Sequence, residues 1–445
     1  MLMSKLFLPI QKEAPAGAQI NSHILMLKAG LIKQTASGLY TWLPLGLKVL
    51  EKIKTTIRRE LDAIGCNEIL LPILQPSSFW QASGRYQTYG KEMLRVTDRH
   101  DNELVYGPTA EEAMVEIAKN DVKSYKQLPL SLYNIQFKFR DEIRPRFGVM
   151  RSREFIMLDS YSFDVSEAEA VQSYKNHFDA FLKIFLSLGL DVLPVEASVG
   201  EIGGSLSHEF CIIAPNGESD IFAEDALLQK ITELKNNPQS IENSFDTITN
   251  YFTKTDEKIA EIANVDVKTA DINAEASKIC GAKKITKHKA IELGHCFYFG
   301  DKYSKPMQMQ LSGEDGKLFN PQMGSYGIGP ARIIAAYIEL NNDKDGIIWN
   351  KQLTPFDIIL INIIKEDESY AKSIYAKLTE AGFSVLFDDT KDSPGQKFAK
   401  ADLIGVPTQV IVSQKLKDAN SVEVKDRKTG QKIILHLDSL LQGVC

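Results

Sequence analysis

A chain of 445 residues is expected to form two or three domains, and 44% hydrophobic with 25% charged residues lets it bury a large core without staples. The formal net charge of -6 excludes nucleic-acid binding by bulk charge, so any RNA contact must come from local basic patches. No run approaches about eighteen apolar residues, and the opening MLMSKLFLPI has neither a basic n-region nor a long apolar h-region, so the cytoplasm is the expected location and no membrane partner is expected. The cysteines, Cys66, Cys211, Cys280, Cys296 and Cys445, form no C-x-x-C pair, and His295 beside Cys296 is poor spacing for joint ligation, so no metal site is expected. No G-x-x-x-x-G-K-[ST] pattern is present, so ATP would not enter through a P-loop.

Residues 20–64 read as helical, with Ile24, Leu25, Leu27 and Leu31 on one face, punctuation at Gly38 and a turn at Trp42-Leu43-Pro44-Leu45-Gly46. Val49, Ile53, Ile57 and Leu61 then recur every four residues beside charged positions, an amphipathic helix that Gly65 ends. Cys66 to Pro72 reads as a strand. Leu104 to Glu112 reads as strand, turn and helix start, and by itself Thr109 is a helix N-cap with Glu112 completing a capping box.

Phe137 to Met157 is the most informative stretch. Lys138, Arg140, Arg144, Arg146, Arg151 and Arg153 crowd into about sixteen residues of an acidic chain. Ile135-Phe137-Phe139 and Phe155-Met157 alternate at period two and read as strands, and the Pro and Gly of Ile143 to Gly148 fit the loop joining them. Arg140 and Arg151 would face each other across this hairpin. Two guanidiniums on a rigid sheet suit a polyphosphate, because each forks onto oxygens, and Glu142 between them suits an exocyclic amine.

Residues 167–188 read as a helix with Ala170, Val171, Tyr174, Phe178, Phe181, Leu182 and Phe185 in the core. Glycines beside a strand at Gly200-Glu201-Ile202-Gly203-Gly204-Ser205 permit close approach of a ligand. From Glu224 to Lys287 aromatics nearly vanish, which marks a small, mostly helical insertion whose first helix ends near Asn237-Pro238. Ile291 to Phe297 reads as a strand carrying His295, and Gly327-Ile328-Gly329 leads to Arg332 at the start of an apolar helix. From Leu353 the order is strand 356–363, helix 370–381, strand 383–387, helix 394–404, strand 409–412 and two more short strands, an α/β unit with right-handed crossovers. Its charge is balanced, so nucleic acid there would be read by stacking and hydrogen bonds as well as phosphate contacts.

These words carry a resemblance. Phe139-Arg140-Asp141-Glu142, a loop, then Arg151-x-x-x-Phe155 resembles motif 2 of the class II aminoacyl-tRNA synthetases, Gly327 to Arg332 resembles their motif 3, and the helix, strand and proline ending at Pro72 resemble motif 1, which builds their dimer interface. Arg144-Pro145-Arg146-Phe147-Gly148, Ser207-His208-Glu209-Phe210 and Gly294-His295-x-Phe297 resemble the bacterial prolyl enzymes. The fold implied is α/β (α+β): an antiparallel-sheet catalytic domain over 1–223 and 288–348, a helical insertion over 224–287, and an α/β anticodon-binding domain over 349–445.

The reaction implied is ATP-dependent attachment of L-proline to tRNA(Pro) through prolyl adenylate, by a homodimer with Mg2+. Thr109 and Glu111 would hold the proline nitrogen, with His295 and Ser325 lining the pocket. Arg140 would bridge carboxylate and α-phosphate, Arg151 and Arg332 would hold the terminal phosphates, Phe155 would stack on adenine and Glu142 would face its amine. The family usually has cysteine where Ser325 stands, which puts a thiol role there in doubt. The insertion is far shorter than the editing domain of many bacterial relatives, which implies no hydrolysis of alanyl-tRNA in cis. A threonyl- or seryl-type synthetase, or a catalytically idle synthetase-like RNA binder, is the alternative; the intact arginines and the prolyl words weigh against both.

Overall fold

The computed structural model describes residues 1–13, 16–200, 204–237, 241–364 and 368–444. Two compact units emerge, one of Met1–Ile53, Phe147–Met150 and Ile334–Cys445, the other of Lys54–Arg146 and Arg151–Ile333.

The second unit is built on a nine-stranded sheet. From one edge its strands are Leu206–Ile213, Val192–Glu196, Thr253–Thr255, Ser219–Glu224, Ile285–Gly300, Gln322–Ile328, Glu154–Asp164, Leu130–Phe139 and Asn67–Glu68. Leu206–Ile213 also pairs with the long Ile285–Gly300 strand. Pairing is antiparallel except for Asn67–Glu68 against Leu130–Phe139 and one bridge between Lys254 and Glu196. The helix Glu167–Ser187 covers one face of this sheet. Its Tyr174, Phe178, Phe181, Leu182 and Phe185 are buried as expected, while Val171 is only half-buried. His177 from this helix stacks on Tyr326, 3.6 Å between ring centres. Side chains alternate along a strand, so Ser325 and Gly327 look out of the opposite face. A Cβ on Gly327 would meet nothing nearer than Leu158 O at 3.8 Å, so space remains over Gly327 on that face. A Cβ on Gly294 would crowd Phe185 at 3.1 Å, which is why the helix can lie so close.

Several local expectations change. Residues 20–64 are not one helical run: Asn21–Lys28 is a helix, Ile32–Ala36 and Leu39–Trp42 form a hairpin, and Pro44–Ala63 is the long helix. Gly30 and Gly38, at φ +68 and +70, turn the chain, and the β-branched and aromatic Thr35, Tyr40, Thr41 and Trp42 favour pairing between them. Val49, Ile53, Ile57 and Leu61 are buried as read. The strand expected over 66–72 shrinks to Asn67–Glu68. In Leu130–Phe139 the period-two reading fails, because the strand is covered on both faces: Lys138 is buried and Phe137 is the exposed position.

The insertion is mostly helical, with Asp225–Asn236, Phe245–Ile248, Asp256–Ala263 and Ile272–Cys280 as its helices. Part of it closes a small core of Phe222, Phe252, Ile259, Ala260, Ile272 and Ala276. Pro238, read as ending its first helix, lies outside the described residues, as do Glu201, Ile202, Gly203 and Cys445.

The first unit contains a five-stranded sheet ordered Val385–Asp388, Ile358–Asn362, Thr408–Val412, Ser421–Asp426, Lys432–His436. The first three strands are parallel, joined through helices Ser369–Glu380 and Pro394–Ile404. Ser393 and Gln396 form a capping box with Pro394 in the first turn, which fixes the start of the second helix where the sequence placed it.

Candidate active site

Thr109 and Glu111 sit at the start of the helix Glu111–Asp121, and both are buried. Thr109 does not cap that helix: Ala110 is the N-cap residue and no side chain caps it. The Thr109 hydroxyl instead donates to Glu111 Oε2 at 2.6 Å and lies 3.1 Å from the Tyr161 hydroxyl. Arg85 Nη1 reaches Glu111 Oε2 at 3.1 Å and Glu112 Oε1 at 3.2 Å, with its guanidinium among Trp80, Tyr89 and Tyr303. Burial, with Glu111 adding to the rise, raises the Glu112 carboxyl to about 7 even against the pull of Arg85. This corner offers a hydroxyl and a carboxylate side by side, a pair of acceptors suited to a secondary ammonium.

The basic hairpin is rearranged relative to expectation. Phe139 pairs with Glu154 at the strand ends, so Arg140 and Arg151 lie beyond the strands rather than facing each other on them. Arg140 N donates to Arg153 O at 2.8 Å, and Arg151 is bridged to Arg146. The pairing register slips because the intervening loop consumes residues unequally on its two sides. Arg140 lies over Phe155, 5.4 Å from guanidinium carbon to ring centre. Arg151 Nε is 3.0 Å from Glu142 Oε2. Burial acts to raise the Glu142 carboxyl, but Arg151 draws it below its usual range. Lys138, counted in the basic cluster, is withdrawn from it into a buried ion pair with Asp159 at 3.1 Å.

The third group comes from a β-bulge. Phe210 pairs with Gly294 and Cys211 with Glu292, so Leu293 is the extra residue. In an unbroken strand Glu292 and His295 would point to opposite faces; the bulge brings them together, Oε1 to Nδ1 at 3.1 Å. His295 Nε2 meets Ser207 Oγ at 2.8 Å, and its ring stacks on Phe297. Arg332 donates from Nη1 to Glu292 O at 3.0 Å and lies 3.4 Å from Glu292 Oε2. Burial works to raise the Glu292 carboxyl, but His295, Arg332 and Arg140 together hold it well below the usual range. Burial and Glu292 push the Glu209 carboxyl upward. Glu209, Glu292 and His295 offer ligand atoms all within 4.8 Å of one another. Ser325, buried, pairs with Phe297 on one side and Tyr161 on the other.

Residues 94–341 match the tRNA synthetase class II core domain (G, H, P, S and T), and residues 357–444 match the anticodon binding domain. The chain is similar to the proline--tRNA ligase of Agrobacterium fabrum, at 46% identity over 99% of both chains. It is also similar to that of Rickettsia bellii, at 47% identity over 97% of this chain and 95% of the other.

The chain belongs to the class II prolyl-tRNA synthetases.

As a proline–tRNA ligase, it forms prolyl adenylate from ATP and proline and passes the prolyl group to tRNA. Its fold is also that of the Cryptosporidium parvum prolyl-tRNA synthetase complexed with L-proline and AMP, with TM-score 0.71 at 17% identity over 94% of this chain and 73% of that one. The class II synthetase fold expected from the sequence is therefore found.

Sequence reasoning singled out Thr109, Glu111, Arg140, Glu142, Arg151, Phe155, His295, Ser325 and Arg332. It did not single out Arg85, Tyr161 or Glu292, and it named Glu209 only within the word Ser207-His208-Glu209-Phe210. Arg85 had a signal, a cation among Trp80, Tyr86 and Tyr89. Glu292 had none, because only the bulge turns it toward His295 and Arg332.

Proposed function

We propose that the ligase reaction is divided among these residues as follows. Thr109 and Glu111 accept from the two N–H groups of proline, and His295 and Ser325 line the pocket. Arg140 bridges the proline carboxylate and the α-phosphate. Arg151 and Arg332 hold the β/γ end of ATP, Phe155 stacks on adenine, and Glu142 faces its amine. The carboxylate nucleophile is already ionised at neutral pH, so positioning and charge neutralisation supply the catalysis. The observation that carries this reading is the buried corner where the Thr109 hydroxyl lies 2.6 Å from Glu111 Oε2, two acceptors side by side.

Glu209 and Glu292 fit a magnesium ion: their carboxylates are hard oxygen donors with ligand atoms within 4.8 Å of one another. Such an ion would supply charge neutralisation for the phosphates when bound. Leu70 and Leu74, 81% and 44% exposed beside the Asn67–Glu68 edge strand, support a homodimer that covers them. We read the catalytic domain as 1–223 and 288–348, the insertion as 224–287 and the anticodon-binding domain as 349–445, in a cytoplasmic enzyme acting on tRNA(Pro). No described helix is long and apolar enough to cross a membrane.

The assignment is tested by proline-dependent ATP–pyrophosphate exchange across alanine variants at Thr109, Arg140, Arg151 and Arg332. The reading requires KM for proline to rise in the first and KM for ATP to rise in Arg151→Ala and Arg332→Ala. The reverse pattern would refute it.

A further inference from the structure

Beneath Thr109 runs a chain of buried polar groups. Tyr161 accepts from Ala110 N at 3.0 Å and donates to Asp159 Oδ2 at 3.1 Å. Asp159 Oδ1 takes the ammonium of Lys138 at 3.1 Å and the amide of Asn134 at 2.8 Å. Lys138, Asn134, Asp159 and Tyr161 are all buried, so none of these contacts is shared with bulk water.

Counting protons gives this chain a direction. Thr109 and Tyr161 own one hydroxyl hydrogen each, yet three contacts need one: Thr109 to Glu111, Thr109 to Tyr161 and Tyr161 to Asp159. Asp159, clamped by two donors on Oδ1, claims the Tyr161 hydrogen through Oδ2. The Tyr161 oxygen is then purely an acceptor toward Thr109. The Thr109 hydrogen goes to Glu111, the shorter contact.

We propose that Tyr161, polarised by the Asp159–Lys138 pair, is a positioning residue for proline: it takes the Thr109 hydrogen when substrate enters, leaving Thr109 Oγ1 and Glu111 both free to accept from the substrate ammonium. This rests on the reading of Thr109 and Glu111 as the nitrogen-binding groups. Without the Tyr161 acceptor, the Thr109 hydrogen stays on Glu111 and competes with the ligand for that carboxylate. Lys138 thereby acts on substrate selection through Asp159, Tyr161 and Thr109.

The test uses the full chain and two variants. Tyr161→Phe removes the acceptor. Asp159→Asn keeps the shape but reverses the chain, since its amide would donate to Tyr161 and make Tyr161 donate to Thr109. Each is checked for folding by thermal unfolding, and either suffices if the other fails to fold. In pyrophosphate exchange, KM for proline should rise about tenfold or more, the scale of one charge-assisted hydrogen bond, with KM for ATP unchanged. Inhibition by cyclopentanecarboxylate, which has the ring and carboxylate but no nitrogen, should be unchanged, whereas a collapsed pocket would weaken it too. In a Thr109→Val background, Tyr161→Phe should add nothing further. An unchanged proline KM in the single variants, equal weakening of cyclopentanecarboxylate, or full additivity with Thr109→Val overturns the inference. If Thr109→Val by itself leaves the proline KM unchanged, the underlying assignment of Thr109 fails instead.

Discussion

Arg151 Nε lies 3.0 Å from Glu142 Oε2, and the same guanidinium reaches Glu218 Oε2 through Nη1 at 3.3 Å. Two carboxylates thus occupy the arginine that ATP would take. Glu218 also holds Arg146, at 2.7 Å. All these side chains are partly exposed, so solvent screens the pairs and each is weak. Glu218→Gln should lower KM for ATP, by at most about fivefold, in exchange assays at saturating proline. A higher KM would mean that Glu218 orders the loop for ATP rather than competing with it.

Arg140→Lys should fold normally and lose adenylate formation by about a hundredfold or more, since an ammonium cannot bridge two anions as a planar fork. Near-normal exchange would remove Arg140 from the centre of the reaction.

Thiol reagents should spare activity. Cys66, Cys211 and Cys296 are buried, and burial pushes their thiols up, Cys66 to about 12, so little thiolate is available to react. Cys280 is the accessible thiol among the described residues, and it lies in the insertion. Iodoacetamide should label Cys280 and leave exchange intact; inactivation prevented by proline plus ATP would place a reactive thiol in the pocket after all.

Acid should weaken the fold through His177. Burial lowers this imidazole to about 4, against about 6.5 when unfolded. A histidine kept neutral by the fold contributes fully above the unfolded value, and that contribution is lost as pH falls through 6.5 toward 4. Between pH 7 and pH 5 the loss is about 2 kcal/mol. Asp164, raised by burial to about 6, acts in the opposite sense in this window, so the effect is read as a difference from His177→Phe, which keeps a ring against Tyr326. Urea midpoints of the two proteins should converge as pH falls; parallel curves would contradict the buried neutral histidine.

The insertion should not hydrolyse alanyl-tRNA(Pro). Alanine is smaller than proline, so the pocket cannot exclude it by clash and must discriminate by lost contacts, about 1–3 kcal/mol per methylene. Among its described residues the insertion has four short helices, and the core closed by Phe222, Phe252, Ile259, Ala260, Ile272 and Ala276 is small. A hydrolytic pocket that also grips a tRNA end is not expected on so slight a core. Purified protein mixed with preformed alanyl-tRNA(Pro) should leave it at the rate of the no-enzyme control, and slow charging with alanine should be measurable. Deacylation that disappears when the insertion is deleted would reverse this.

The sequence by itself determined what repeats locally. The Pro44–Ala63 helix, the alternation of strands and helices after Leu353, and the helical insertion follow from periodicity, caps and turn residues, because those forces act within a few residues. Arg140, Arg332, Thr109 and Glu111 were singled out because the words they stand in resemble a family's. Tertiary structure decided the rest. The hairpin at 32–42 lies where helical and strand readings compete and long-range packing chooses. Lys138 leaves the basic cluster because the sheet covers both faces of its strand and Asp159 lies within reach. Glu292 joins the candidate site through one bulge at Leu293, and Tyr161 stands behind Thr109 because the start of the helix Glu111–Asp121 packs on a distant strand. Cross-strand register fixes such neighbours, and no local pattern encodes register when both faces of a strand are buried.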